Sequence, residues 1–324
     1  MFNRLRATLQ ADPKTIVLPE GYDIRIIEAA ARLKSEGDFL TPILIGNPDK
    51  VKAIAAEGGF NVDNIQIVDP DNYPEFDTMV DRMVELRKGQ MTADQCRELL
   101  HKSNYFGTMY VKMGFADALL GGATYSTADT VRPALQIIKP KPTNKIVCSC
   151  FIQSRIKDGK QEILAMGDCG LVIDPTEDEL VEIAYETAMC GKAFGLDPKI
   201  AFLSFSTKGS AKHSSIDKMN NALAKFKIAH PEIPADGELQ FDAAVVPEVA
   251  AKKAPGSPVA GHANTFIFPD INAGNLGYKI CQRMGEFEAF GPILLGLNAP
   301  INDLSRGCTA EEVYKMALIT AVLV

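Results

Sequence analysis

The chain has 324 residues, with Lys+Arg 34 against Asp+Glu 41 and a formal net charge of −7 at pH 7. A composition of 46% hydrophobic and 23% charged residues supplies more than one packed core and excludes a disordered chain. The acidic balance argues against a coat for nucleic acid or an anionic membrane, both of which need a basic field, yet leaves room for a local anion site.

The first residues, with Arg4 and Arg6 ahead of a few alternating side chains, contain no apolar core of a secretory signal. The longest charge-free stretch, Ala254 to Pro269, is broken by Pro255, Gly256, Pro258 and Gly261, so no segment is expected to span a bilayer and the expected location is the cytoplasm. Short β-branched runs alternate with amphipathic runs, the signature of parallel sheets covered by helices. Strands are predicted at Thr15 to Leu18, Pro42 to Ile45, Ile65 to Val68 and Ala118 to Leu120, with helices such as Asp23 to Lys34 and Glu75 to Lys88 between them. The rhythm resumes at Lys145 to Ile152, Glu162 to Met166, Lys199 to Phe205, Thr265 to Phe268 and Ile293 to Leu297. Asp174-Pro175-Thr176-Glu177 reads as the capped, acidic start of a helix of about five turns that ends at Gly195. The stiff polar linker Lys139 to Thr143 marks a domain boundary, and the terminal helix Glu311 to Val324 is too short to found a domain of its own.

The seven cysteines are scattered without a C-x-x-C pair and read as reduced, mostly buried thiols. The four histidines never fall at H-x-x-x-H spacing, and neither a dinucleotide fingerprint nor a P-loop is present. Two loops resemble anion cradles. Gly121 to Arg132 runs from a strand end through paired glycines into a helix start, where backbone N–H groups, Ser126, Thr127, Thr130 and Arg132 suit a phosphate. A plain hydroxyl N-cap with a solvated arginine fits the same spacing. Ser204 to Lys212, with Ser206 and Ser210, follows another strand and reads either as a second cradle or as an ordinary polar loop. The loop Leu297 to Thr309 offers Ser305 and Arg306, with Glu312 a helical turn beyond. That trio can align a nucleophile, hold an oxyanion and accept a proton. Thr309-x-x-Glu312 is equally a capping box.

The blocks GGATYSTADTVRPALQII (Gly121 to Ile138), DGELQFDAAVVPEVAAKKAPGSPVAGHANTFIFPDINAGNLGYKI (Asp236 to Ile280) and GPILLGLNAPINDLSRGC (Gly291 to Cys308) resemble the phosphate acetyltransferase (phosphotransacetylase) family, and the similarity runs along nearly the whole chain. The fold it implies is α/β: two α/β domains with mostly parallel sheets around a central cleft, the second inserted into the first. On this chain the expected domains are 1–143 plus 303–324, and 144–302. The reaction implied is reversible acetyl transfer between coenzyme A and inorganic phosphate through acetyl phosphate, by a homodimer with no redox cofactor and no metal. The resemblance gives Ser305 the CoA thiol, Arg306 the phosphate and tetrahedral oxyanion, and Glu312 the role of base, where the family usually carries Asp. Arg87 and Arg132 resemble arginines that engage CoA phosphates, while Gln90 stands where lysine is common. Cys308 is given a packing role, because CoA brings its own thiol. The rivals are a phosphate butyryltransferase with a larger acyl pocket, a decarboxylating hydroxyacid dehydrogenase, whose metal and NAD signals are missing, and a non-catalytic regulatory copy, against which Ser305-Arg306 argues.

Overall fold

The computed structural model describes residues 1–324. The chain divides into two compact units, residues 2–141 with 297–324, and Met1 with 142–296. The first begins with α1 (Phe2–Ala11), β1 (Lys14–Leu18), α2 (Ile24–Ser35), β2 (Leu40–Ile45), α3 (Pro48–Gly58), β3 (Gln66–Val68), α4 (Phe76–Arg87), α5 (Ala93–Leu100), α6 (Ser103–Lys112), β4 (Ala118–Gly121) and α7 (Thr127–Pro133). Local chemistry sets these bounds. The Asp23 side chain caps α2 by accepting from Arg25 N, and Asn47 caps α3 with Pro48 in the first turn. Helix α2 buries Ile26, Ile27, Ala30 and Leu33, a helical stripe on the core side.

The inserted unit holds β5 (Cys148–Lys157), β6 (Lys160–Gly167), α8 (Glu177–Ala193), β7 (Ile200–Leu203), α9 (Ser214–Ala229), β8 (Ala235–Leu239), α10 (Phe241–Val245), α11 (Pro247–Lys253), β9 (Thr265–Ile267), α12 (Ile271–Met284) and β10 (Glu288–Leu295). Its sheet order is β10-β5-β6-β9-β7-β8, parallel from β6 onward but antiparallel at β10–β5 and β5–β6. The strand expected to end at Ile152 runs on to Lys157 because Asp158 and Gly159, at φ 51 and 72, form the two-residue left-handed turn that closes a hairpin with β6. Helix α8 starts within the expected Asp174 to Glu177 segment, but its cap is Thr176, in a capping box with Glu179, so Pro175 lies before the helix and not in its first turn.

The chain then returns as β11 (Ile301–Asp303) and α13 (Ala310–Ala321). The first sheet is wholly parallel in the order β11-β4-β1-β2-β3, with Ile301 paired to Leu119. This pairing moves the return from the expected 302 back to Leu297. Residues 297–302 go with the first unit, where Asn298 Nδ2 also donates to Pro140 O at 2.7 Å. Helix α13 packs on α2, α1 and β4 and buries Val313, Tyr314, Ala317 and Leu318. In a parallel sheet the loops that receive ligands leave the carboxyl ends of the strands. The neighbouring strands β1, β4 and β11 therefore deliver Glu20, Gly122 to Arg132, and Asp303 to Arg306 to one edge of the sheet.

Candidate active site

At this edge the loop that leads into the first expected cradle is filled by the protein's own carboxylate. Glu20, fully buried, accepts from Gly122 N at 2.9 Å, Ala123 N at 3.1 Å, Thr124 N at 2.5 Å and Thr124 Oγ1 at 2.6 Å. The amides of the glycine-pair loop, ahead of the helix start, thus face Glu20. The hydroxyl protons are committed as well. Ser126 Oγ donates to Asp129 Oδ2 at 2.7 Å, closing the helix cap, while Thr127 and Thr130 donate to Asp303. The N-cap reading of Ser126 is the one the geometry realises, and Arg132 is left exposed and without an ion pair.

Ser305 and Arg306 are exposed just past β11. Ser305 Oγ accepts from Gly307 N at 3.3 Å, so its own proton stays available. The Arg306 guanidinium has no partner, but its backbone is held firmly. Arg25 NH1 donates to Arg306 O at 2.8 Å and to Cys308 O at 2.9 Å, while NH2 donates to Ala123 O at 2.9 Å and pairs with Asp23. One side chain therefore ties the Ser305–Cys308 loop to the β4–α7 loop. Burial is the main cause that pushes the Cys308 thiol up to about 11; Glu312 adds to the rise and Arg25 opposes it. Glu312 forms the capping box: its Oε2 accepts from Thr309 N at 2.7 Å and from Thr309 Oγ1 at 3.2 Å.

Arg87 and Arg132 both act electrostatically on Tyr105. Burial raises this phenol's pKa, and both guanidiniums pull it back down; the hydroxyl donates to Gln136 Oε1 at 3.0 Å. Arg87 Nε is buried and lacks a hydrogen-bond partner. Neither guanidinium is in an ion pair, although Asp129 interacts with Arg132 and also raises the Tyr105 pKa, so both cations can attract an anion.

In the inserted unit, Ser206 and Ser210 are brought together at 3.1 Å, and again a carboxylate fills the loop. Ser206 Oγ donates to Glu238 Oε1 at 2.9 Å, and Gly209 N donates to the same oxygen at 2.7 Å. These bonds, with that from Asn220, hold Glu238 below the usual carboxylate range against the opposing effect of burial. Asp168 organises the loop after β6 in the same way, accepting from Gly170 N at 2.7 Å and Leu171 N at 3.0 Å. Sequence reasoning did not single out Glu20, Arg25, Asp303 or Glu238 as site residues. An acidic residue at a buried strand's carboxyl end, as in Leu18-Pro19-Glu20, is the signal that would have found the first of them.

A parallel α/β unit that presents a free serine and an unpaired arginine at a strand end, with two further arginines outside any ion pair on its helices, has the layout of an enzyme for anionic substrates. The chain belongs to the phosphate acetyl/butaryl transferase family, whose model it matches over residues 1–321, and is accordingly an acyltransferase. It is 49% identical over 321 residues to a phosphate acetyltransferase of Bacillus subtilis, covering 99% of this chain and 98% of that one. A phosphotransacetylase structure from Streptococcus pyogenes matches with a TM-score of 0.95 at 51% identity, over 99% of this chain and 97% of that one. The EutD phosphotransacetylase from Staphylococcus aureus matches with a TM-score of 0.92 at 45% identity, over 99% and 98% of the two chains.

Proposed function

We propose that the chain transfers an acetyl group reversibly between coenzyme A and inorganic phosphate (acetyl-CoA + phosphate = CoA + acetyl phosphate). The observation that carries this reading is the exposed Ser305–Arg306 pair at the end of β11, with its backbone clamped by Arg25 and its guanidinium free. In the direction of acetyl-CoA synthesis the CoA thiolate attacks the acyl carbon. The C–S bond forms, the bond from carbon to the bridging oxygen breaks, and phosphate leaves with that electron pair. Ser305 Oγ orients the sulfur, and Arg306 binds the phosphate and the oxyanion of the tetrahedral intermediate. Glu312 takes the thiol proton on Oε1, since its hydrogen bonds within the chain all fall on Oε2. Arg132 and Arg87 hold CoA phosphates. Ser126, Thr127 and Thr130 shape the β4–α7 loop, and Ser206 and Ser210 the loop after β7, through their bonds to Asp129, Asp303 and Glu238 and, for Ser210, to Ser206. Both substrates bind before transfer, and neither a cofactor nor a metal takes part.

The reading extends to a cytoplasmic homodimer. Supporting self-association, helix α12 buries only Gly274 and exposes Leu276, Ile280 and Met284, an apolar face of the kind that marks contact surfaces. Light scattering on the eluted protein tests the dimer. The activity is tested by varying one substrate at fixed levels of the other: intersecting double-reciprocal lines support the ternary complex, and parallel lines contradict it.

A further inference from the structure

Asp303 ends β11 at 3% exposure, and its two oxygens are used separately. Oδ2 accepts from Thr127 Oγ1 and Oδ1 from Thr130 Oγ1, each at 2.6 Å. Spaced three apart in the first turn of α7, these threonines lie on one face of the helix. Arg132 follows Thr130 by two residues and Ser305 follows Asp303 by two, so the contact joins the two segments that carry the candidate substrate groups. The backbone closes the same junction, with Leu304 N donating to Gly121 O at 2.7 Å. Gly122 sits at φ +110, and a Cβ there would strike Asp303 Oδ1 and the Leu304 backbone. A buried carboxylate is an unfavourable neighbour for polyanionic substrates. Burial raises its pKa, as does nearby Glu20, and the two threonine hydroxyls oppose that rise.

We propose that Asp303 is a positioning residue. It ties the first turn of α7 to the end of β11 and so fixes the spacing between Arg132 and the Ser305–Arg306 pair. The inference rests on the roles given above to Arg132 and Arg306, and Asp303 itself touches neither substrate nor reacting atoms.

The test crosses Asp303→Asn and Thr127→Val with Arg132→Ala in the full-length enzyme, reading kcat, KM for CoA and melting temperature. Asp303→Asn is isosteric but cannot accept from both threonines as the carboxylate does; Thr127→Val removes one donor and leaves the charge. If spacing is the cause, each variant raises the KM for CoA on the order of tenfold, and in the Arg132→Ala background the same change has an effect below about twofold. Effects that multiply in the two backgrounds overturn the proposal. So does a lowered KM in Asp303→Asn, which would mark the carboxylate as simple repulsion. An unchanged KM in Arg132→Ala alone overturns the role of Arg132 and the spacing claim with it. That outcome differs from failure of positioning, in which Arg132→Ala raises KM and the effects still multiply. Should Asp303→Asn fail to fold, Thr127→Val carries the same crossing.

Discussion

The Arg306 side chain makes no hydrogen bond or ion pair, so removing it leaves no buried group unpaired, and the expected loss is catalytic rather than structural. Arg306→Ala should lower kcat by about 10² to 10³, since the oxyanion exists only in the transition state. Arg132→Ala should act mainly on the KM for CoA, and steady-state kinetics of the two variants check this division. Glu312 carries two jobs at once. Gln at this position still closes a capping box, so Glu312→Gln should keep its melting temperature while losing on the order of 10² in rate near pH 7. Part of that loss should return as pH rises toward the thiol pKa, because hydroxide replaces the missing base. Full activity of Glu312→Gln at pH 7 would leave Glu312 as a cap alone. Cys308 gives a pH test of a different kind. Its thiol is pushed up from 9.0 to about 11, so the folded state holds a proton that the unfolded chain releases. The associated stability is present below pH 9 and is lost as pH rises toward 11. Alkylation of native Cys308 at pH 8 should accordingly be much slower than in the unfolded chain.

The elements that build the site are strand ends and the loops after them, and Arg25 on α2 binds two of those loops together. Arg25→Met keeps the packing of the stem but loses the bonds to Arg306 O, Cys308 O and Ala123 O. It should destabilise the protein by about 2 to 3 kcal/mol through the carbonyls and Asp23 left unpaired, and it should lower kcat more than it raises KM. Denaturant melts and kinetics on the same preparation check both. Much of this layout was legible beforehand. The β-branched runs gave β1, β2 and β4, the capped acidic start at Asp174 to Glu177 gave α8, and the glycine pair before Ser126 marked the loop. What the pattern concealed was occupancy. Local spacing cannot distinguish amides that await a phosphate from amides that face Glu20, because Glu20 lies 102 positions from Gly122. The β5–β6 hairpin was missed although Asp158-Gly159 is a strong turn signal, and β11 because three residues are too few for alternation to register.

At the scale of the whole molecule, one chain passes out of the first unit at Pro142 and returns at Leu297, so the serine and arginine at the end of β11 belong to a sheet begun by residue 14. The returning α13 covers α2 and β4, and the site edge depends on that closure. The central claim is that this chain transfers acetyl between phosphate and the CoA thiol with its own side chains. The most direct measurement follows acetyl-CoA formed from acetyl phosphate and CoA by the purified, chelator-treated enzyme, beside Arg306→Ala. The account predicts turnover by the chelated wild type that requires both substrates and falls at least about a hundredfold in the variant. Absence of turnover until a metal is restored, or an Arg306→Ala enzyme as fast as the wild type, would contradict it.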